Sequence, residues 1–135
     1  MNEFTIFKVS ASGMTAQRFR LDIIASNIAN SETTRTERGE PYRRRIPIFA
    51  EYFIDKNKTS AVRVVRIEED SSPFRLVYDP SHPDAGEDGY VRFPNVNVLR
   101  EMVDLISAQR AYEANVSAFN VTKSMINSAL QIGRG

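Results

Sequence analysis

Large apolar side chains recur at every seventh position near both ends of this chain. Phe7, Met14, Leu21 and Ile28 form one series, and Val98, Leu105, Tyr112, Phe119 and Ile126 form the other. Seven residues are close to two turns of α-helix, so each series falls on one face of a helix. Phe4, Ala11, Ile24 and Ala25 fill places beside the first stripe, and Met102, Val116 and Leu130 extend the second. The spacing predicts a helix over residues 4–30, stopped by Asn30-Ser31-Glu32-Thr33-Thr34. It predicts a second helix from just after Pro94 to about Ile132, closed by Gly133. Asn95 or Asn97 is suited to accept a hydrogen bond from a first-turn amide there, and Glu101 suits the positive end of the helix dipole. Within the first helix Gly13 is a weak point, worth about 1 kcal/mol against alanine.

Between the two helices the text changes. All six prolines (Pro41, Pro47, Pro73, Pro80, Pro83 and Pro94) lie there with Gly39, Gly86 and Gly89, and no helical period survives them. Short strands are predicted at Tyr42 to Phe53, Ala61 to Glu68, Phe74 to Tyr78 and Tyr90 to Arg92. The clearest is the second, where Val62, Val64, Val65 and Ile67 are set among Arg63 and Arg66. Asp79 to Asp84 reads as an irregular loop. The fold class is therefore α+β, organised as an N-terminal helix (1–34), a β-rich insert (35–94) and a C-terminal helix (95–135). So small an insert offers the helices little to cover, which leads us to expect that neighbouring molecules complete their stripes. The alternative is that the stripes form the core of an antiparallel helix pair within one molecule.

Length and charge narrow the function. A chain of 135 residues suffices for one modest domain, and 18 basic against 17 acidic residues call for neither nucleic acid nor an anionic membrane. Charge is nevertheless segregated: residues 34–66 hold nine Lys/Arg and four Asp/Glu, whereas residues 67–95 hold two and seven. The two halves of the insert can face each other or face those of another copy. With no cysteine there is no disulfide, thiolate nucleophile or sulfur-ligated metal. Glu3, Lys8, Arg18, Arg20 and Asp22 interrupt every early apolar run, so neither a cleaved secretory signal nor membrane insertion is expected.

The residues that first suggest chemistry do not support it. Arg43, Arg44 and Arg45 beside Tyr42 resemble a phosphate-binding patch. On a strand, however, Arg44 points away from its two neighbours and is better placed to meet the acidic residues from Glu68 to Asp70. His82, between Asp79 and Asp84, is a lone imidazole among loop carboxylates with no second histidine and no nucleophile, so we expect no metal, cofactor or catalysis. Asn27 and Asn30 share one side of the first helix. Asn30 is placed to cap the helix end; Asn27, among apolar residues, is placed either for a local bond or for one to an adjacent subunit.

The tract Leu21-Asp22-Ile23-Ile24-Ala25-Ser26-Asn27-Ile28-Ala29-Asn30, with Ser31 to Thr34 after it, resembles the N-terminal signature of flagellar rod and hook axial proteins. Asp79 to Ala85, Gly89-Tyr90-Val91, Pro94-Asn95-Val96-Asn97 and Arg110-Ala111-Tyr112-Glu113-Ala114-Asn115 resemble members from the proximal rod. Residues 50–75 carry no such likeness, and Ser26 stands where related sequences often have asparagine. The resemblance implies a non-enzymatic subunit that polymerises into the periplasm-crossing rod of the basal body. It further implies a coiled-coil pairing of the terminal helices and export through the flagellar type III apparatus without a cleaved signal. The implied partners are copies of itself, other rod proteins and the proteins joining rod to membrane ring. The assembly interface is expected at Phe7, Met14, Leu21, Asn27, Ile28, Val98, Leu105, Tyr112, Phe119 and Ile126. The alternative is a helical adaptor binding one partner at fixed stoichiometry.

Overall fold

The computed structural model describes residues 3–134. Helix α1 runs Glu3–Ala29 and helix α2 runs Val98–Arg134; between them lie strands β1 (Arg45–Phe53), β2 (Ser60–Glu69), β3 (Arg75–Tyr78) and β4 (Tyr90–Phe93). The strands form two separate antiparallel hairpins, β1 with β2 and β3 with β4. The α+β architecture anticipated from the stripes and the proline-rich middle is the one observed.

Each boundary has a local cause. At the end of α1 the Asn30 side-chain amide donates to the Ser26 carbonyl at 2.9 Å, beside the main-chain bond from Asn30 to the same oxygen. At the start of α2 the Asn97 side chain accepts from the Arg100 amide at 3.2 Å, so Asn97 is the cap. Asn95 is not; it binds the main chain of the insert instead. β1 begins three residues later than expected because Tyr42 to Arg44 make other bonds. The Tyr42 amide donates to Thr33, the Arg44 amide donates to Asn95, and the Arg44 carbonyl accepts from Asp70. In the β1–β2 turn the Asp55 carboxylate accepts from both the amide and the hydroxyl of Thr59, and Lys58 takes a left-handed φ of 59°. The register shifts between Ile48, opposite Arg66, and Phe49, opposite Val64, so Val65 forms a bulge. Gly89, at φ 81°, closes the second hairpin where a Cβ would come within 2.7 Å of the Tyr78 ring.

α1 packs on both neighbours, against α2 on one side and the β1–β2 hairpin on another. The helices are antiparallel: Phe7 meets Phe119 with ring centroids 4.7 Å apart, Gly13 lies under Asn115, and Asn27 reaches Glu101. The insert thus gives α1 more cover than its size suggested, with Ile23, Ile24 and Ala61 buried. The most enclosed positions of α2 are Glu101, Ala108 and Thr122, on a seven-residue frame three places after Val98, Leu105 and Phe119. The heptad period holds, but small and polar residues occupy its most buried line and the large residues flank it.

Close approach of the helices explains Gly13. A Cβ there would stand 2.7 Å from Asn115 Oδ1. Gly13→Ala should therefore leave the thermal midpoint unchanged or lower it despite a gain in helix propensity of about 1 kcal/mol. In an Asn115→Ala background the same change should raise it, a coupling that calorimetry of the four proteins measures.

Candidate assembly surface and the junction that orients it

The expected interface residues do converge on one seam within the molecule. Phe7, Met14, Leu21, Ile28, Val98, Leu105, Tyr112, Phe119 and Ile126 are all half-buried, each with part of its surface still in solvent. Phe7 and Phe119 meet directly across the two helices. Met102 and Leu130, placed with the second stripe by spacing, are more open, and Leu130 is 60% exposed. Because Phe7 pairs with Phe119, the described start of α1, four residues before Phe7, falls close to Lys123 in α2. Beyond it α2 continues to Arg134, about 16 Å at 1.5 Å per residue. Ile126 and Leu130 thus prolong the seam past the described end of its other half.

Asn27 departs from the expectation of a lateral bond. It is 1% exposed and all its hydrogen-bonding capacity is used inside the chain. Its Oδ1 accepts from the Arg45 amide at 2.9 Å and from the Tyr42 hydroxyl at 2.8 Å. Its Nδ2 donates to the Arg45 carbonyl at 2.9 Å and to Glu101 at 3.3 Å. An amide that mimics a strand's pairing edge in this way fixes the start of β1 to the last turn of α1.

Glu101 and Arg44 complete the junction. Glu101 is 1% exposed and accepts from Arg44 Nε; Arg44 also pairs with Asp70 at 3.3 Å and lies 3.8 Å from Asp104. Burial works against the Arg44 charge, but hydrogen bonding and attraction from Glu101, then Asp70, outweigh it and raise its pKa. Asp70 is held below the usual carboxylate range by hydrogen bonds from the Ser72 hydroxyl and amide, and after these by Arg44. Arg44 accordingly turns inward while Arg43 lies over the Phe74 ring at 4.2 Å and Arg45 over Tyr42 at 5.5 Å. The three arginines are divided, although only Arg45 lies within β1, and Arg43 also donates to the carbonyls of Asp70 and Ser72. The segregated charges of the insert meet internally as well, in Arg35–Asp84, Arg38–Glu69 and Arg66–Glu68.

Sequence reasoning gave Arg44 its partner Asp70 but missed Glu101, which it assigned to the helix dipole. The available signal was an acid in the same seven-residue frame as Ala108 and Thr122. His82 is an ordinary loop brace: its Nδ1 accepts from the Asp84 amide at 3.0 Å, and Asp84 is engaged by Thr34 and Arg35. Among the described residues no group of His, Asp and Glu is arranged to hold a metal, and no helix is long and apolar enough to cross a membrane. A groove of about 930 Å³ lies open between α1 and the first hairpin and is walled by Phe19, Phe53, Val65 and Ile67.

Paired end helices with an interlocked β insert characterise the fold, and comparison with known families specifies which class of protein carries it. Residues 7–35 match the family of flagella basal body rod proteins, and residues 87–132 match the C-terminal region of the flagellar basal body rod FlgEFG proteins. The FlgC basal-body rod protein of Borreliella burgdorferi is 47% identical over the full length of both chains. That of Bacillus subtilis is 46% identical over 99% of this chain and 100% of its own, and that of Yersinia enterocolitica 42% over the same shares. The chain belongs to the FlgC family of flagellar basal-body rod proteins. That family is structural rather than enzymatic, and its place is the flagellar basal-body rod.

Two measurements test the junction. Glu101→Ala strands Arg44 and one donor of Asn27, so urea unfolding should show a loss of about 3 kcal/mol, the usual cost of removing one partner of a buried pair. Asp70 has a folded pKa below its unfolded value, so its contribution is complete above that unfolded value, near ~3.9, and disappears as pH falls through the folded one. Urea midpoints between roughly pH 5 and pH 2 should therefore fall less steeply for Asp70→Asn than for the unaltered chain.

Proposed function

We propose that the chain is a subunit that adds to the growing rod through its two terminal helices, joining copies of itself and other rod proteins into the shaft that crosses the periplasm. The observation that carries this reading is the apolar border of the helix pair, where Phe7 and Phe119 meet and still keep part of their surface in solvent. Apolar surface left half-covered in this way along two long helices is completed by helices of other molecules. Contacts of that kind between unlike surfaces do not close, and they generate a filament. The half-buried flanks of Phe7, Met14, Leu21, Ile28, Val98, Leu105, Tyr112 and Phe119 supply the lateral apolar surface, while the junction at Asn27 holds the insert outside the helices. Proteins linking the rod to the membrane ring would meet that outer insert. Passage through the flagellar type III apparatus in an unfolded state suits a chain with no cysteine to cross-link it.

The test uses cells lacking this protein, complemented with variants. Phe119→Asp would also break the Phe7 contact, so the informative change is Ile126→Asp, which places an unpaired charge on the seam beyond α1. The purified variant should unfold within about 1 kcal/mol of the unaltered chain, be exported, and fail to give rods in isolated basal bodies. Normal rods with this variant would refute the assigned seam.

A further inference from the structure

Ion pairing within the insert leaves carboxylates over at one place, beside exposed apolar surface. Residues 67–95 hold seven acidic groups. Four of them, Glu68, Glu69, Asp70 and Asp84, are paired with arginines of the same chain. Asp79, Glu87 and Asp88 have no cationic partner among the described residues, and all three lie in the loop that closes β3 on β4. Next to them, Leu76, Tyr78 and Tyr90 share one face of the hairpin, because Tyr78 stands opposite Tyr90 and side chains alternate along a strand. Leu76 and Tyr78 are 63% and 64% exposed, and the two tyrosine rings meet edge to face with centroids 5.2 Å apart. At the far end of that face Arg92, opposite Leu76, lies over the Phe74 ring at 5.5 Å. The tip of the second hairpin is therefore an aromatic knob bordered by free carboxylates.

The groove between α1 and the first hairpin is its converse. Its walls are Phe19, Phe53, Val65 and Ile67; Lys8, Arg63 and Arg66 stand among them, and no Asp or Glu does. Arg66 is neutralised by Glu68, whereas Lys8 and Arg63 have no carboxylate partner among the described residues. The groove lies beside the first two-thirds of α1, where the Val62 amide donates to Ser12. The second hairpin lies past the other end of that helix, where Asp84 accepts from Thr34. One chain thus presents knob and groove in different directions. We propose that, in the assembled rod, the β3–β4 hairpin of one copy of this chain docks into the groove of an adjoining copy. Tyr78 and Tyr90 then cover the apolar walls, while Glu87 and Asp88 come to Lys8 and Arg63. The contact is made by side chains between unlike surfaces, which lets it repeat from subunit to subunit. It rests on the reading that the chain adds to a rod, and uses none of the seam residues.

The experiment uses complemented cells and the basal bodies isolated from them. Arg63→Glu and Glu87→Lys, both at exposed positions, should each lower the number of rods per cell by about tenfold, because like charges then face each other. The two changes in one chain should restore it. The chain has no cysteine of its own, so Val65→Cys with Tyr78→Cys should let a short bis-maleimide join subunits of isolated basal bodies into a species of twice the subunit mass. Neither single cysteine should do so. Normal rod numbers with the single reversals, failure of the combined reversal to restore them, or rods in which the paired cysteines give no such species would overturn the contact and leave assembly through the helices standing. Absence of the unaltered chain from isolated rods would overturn the reading beneath it, and the contact too.

Discussion

A single buried amide sets the geometry of this molecule. Asn27 sits in the last turn of a helix, yet it behaves as a short piece of strand edge, giving to and taking from the backbone of Arg45 while also bonding Tyr42 and Glu101. Four hydrogen bonds to three residues, Tyr42, Arg45 and Glu101, meet on it, so the end of α1, the start of β1 and the first turn of α2 cannot vary independently. Polar groups in such a place are costly when half satisfied and specifying when fully satisfied. Among the described residues none of the buried polar side-chain atoms here is left without a partner. Arg44 and Glu101 extend the same junction to Asp70, and through it to the end of β2.

The helix seam follows a different logic. Its centre is lined with small residues, so the two backbones approach closely and the large apolar side chains are displaced to the borders. Gly13 under Asn115 is the clearest instance. Large residues at the border are half covered by the partner helix and half available, which suits a protein whose relatives work as parts of the flagellar rod. A conventional seam with Phe, Leu and Ile at its centre would bury them fully and leave only charge outside.

Much of this was legible beforehand, and the misses are physical. Helical period and proline placement are local properties, and they located both helices, the insert and the four strands to within a few residues. The parting of Arg44 from Arg43 and Arg45 was likewise anticipated, although Arg43 and Arg44 precede β1 and are placed by bonds to Asn95, Asp70 and Ser72, not by strand pairing. What a period cannot reveal is which side of a stripe faces inward. The stripe of large residues defined the heptad frame correctly, but the buried line lay three places later, at Glu101, Ala108 and Thr122. Asn27 was hard for the same reason: a polar residue among apolar ones advertises a partner without saying whose. Its actual partners, Arg45 and Glu101, are 18 and 74 residues away.

The extra residue at Val65 has a bearing on how such a chain tolerates crowding. Two-stranded sheets expose a bare rim of main-chain groups on which a second sheet can grow, and copies packed side by side would be continually at risk of it. A kink at Val65 coils that rim, and Arg63 and Arg66 stud it with cations. Edge-to-edge pairing with another sheet is thereby discouraged at this hairpin.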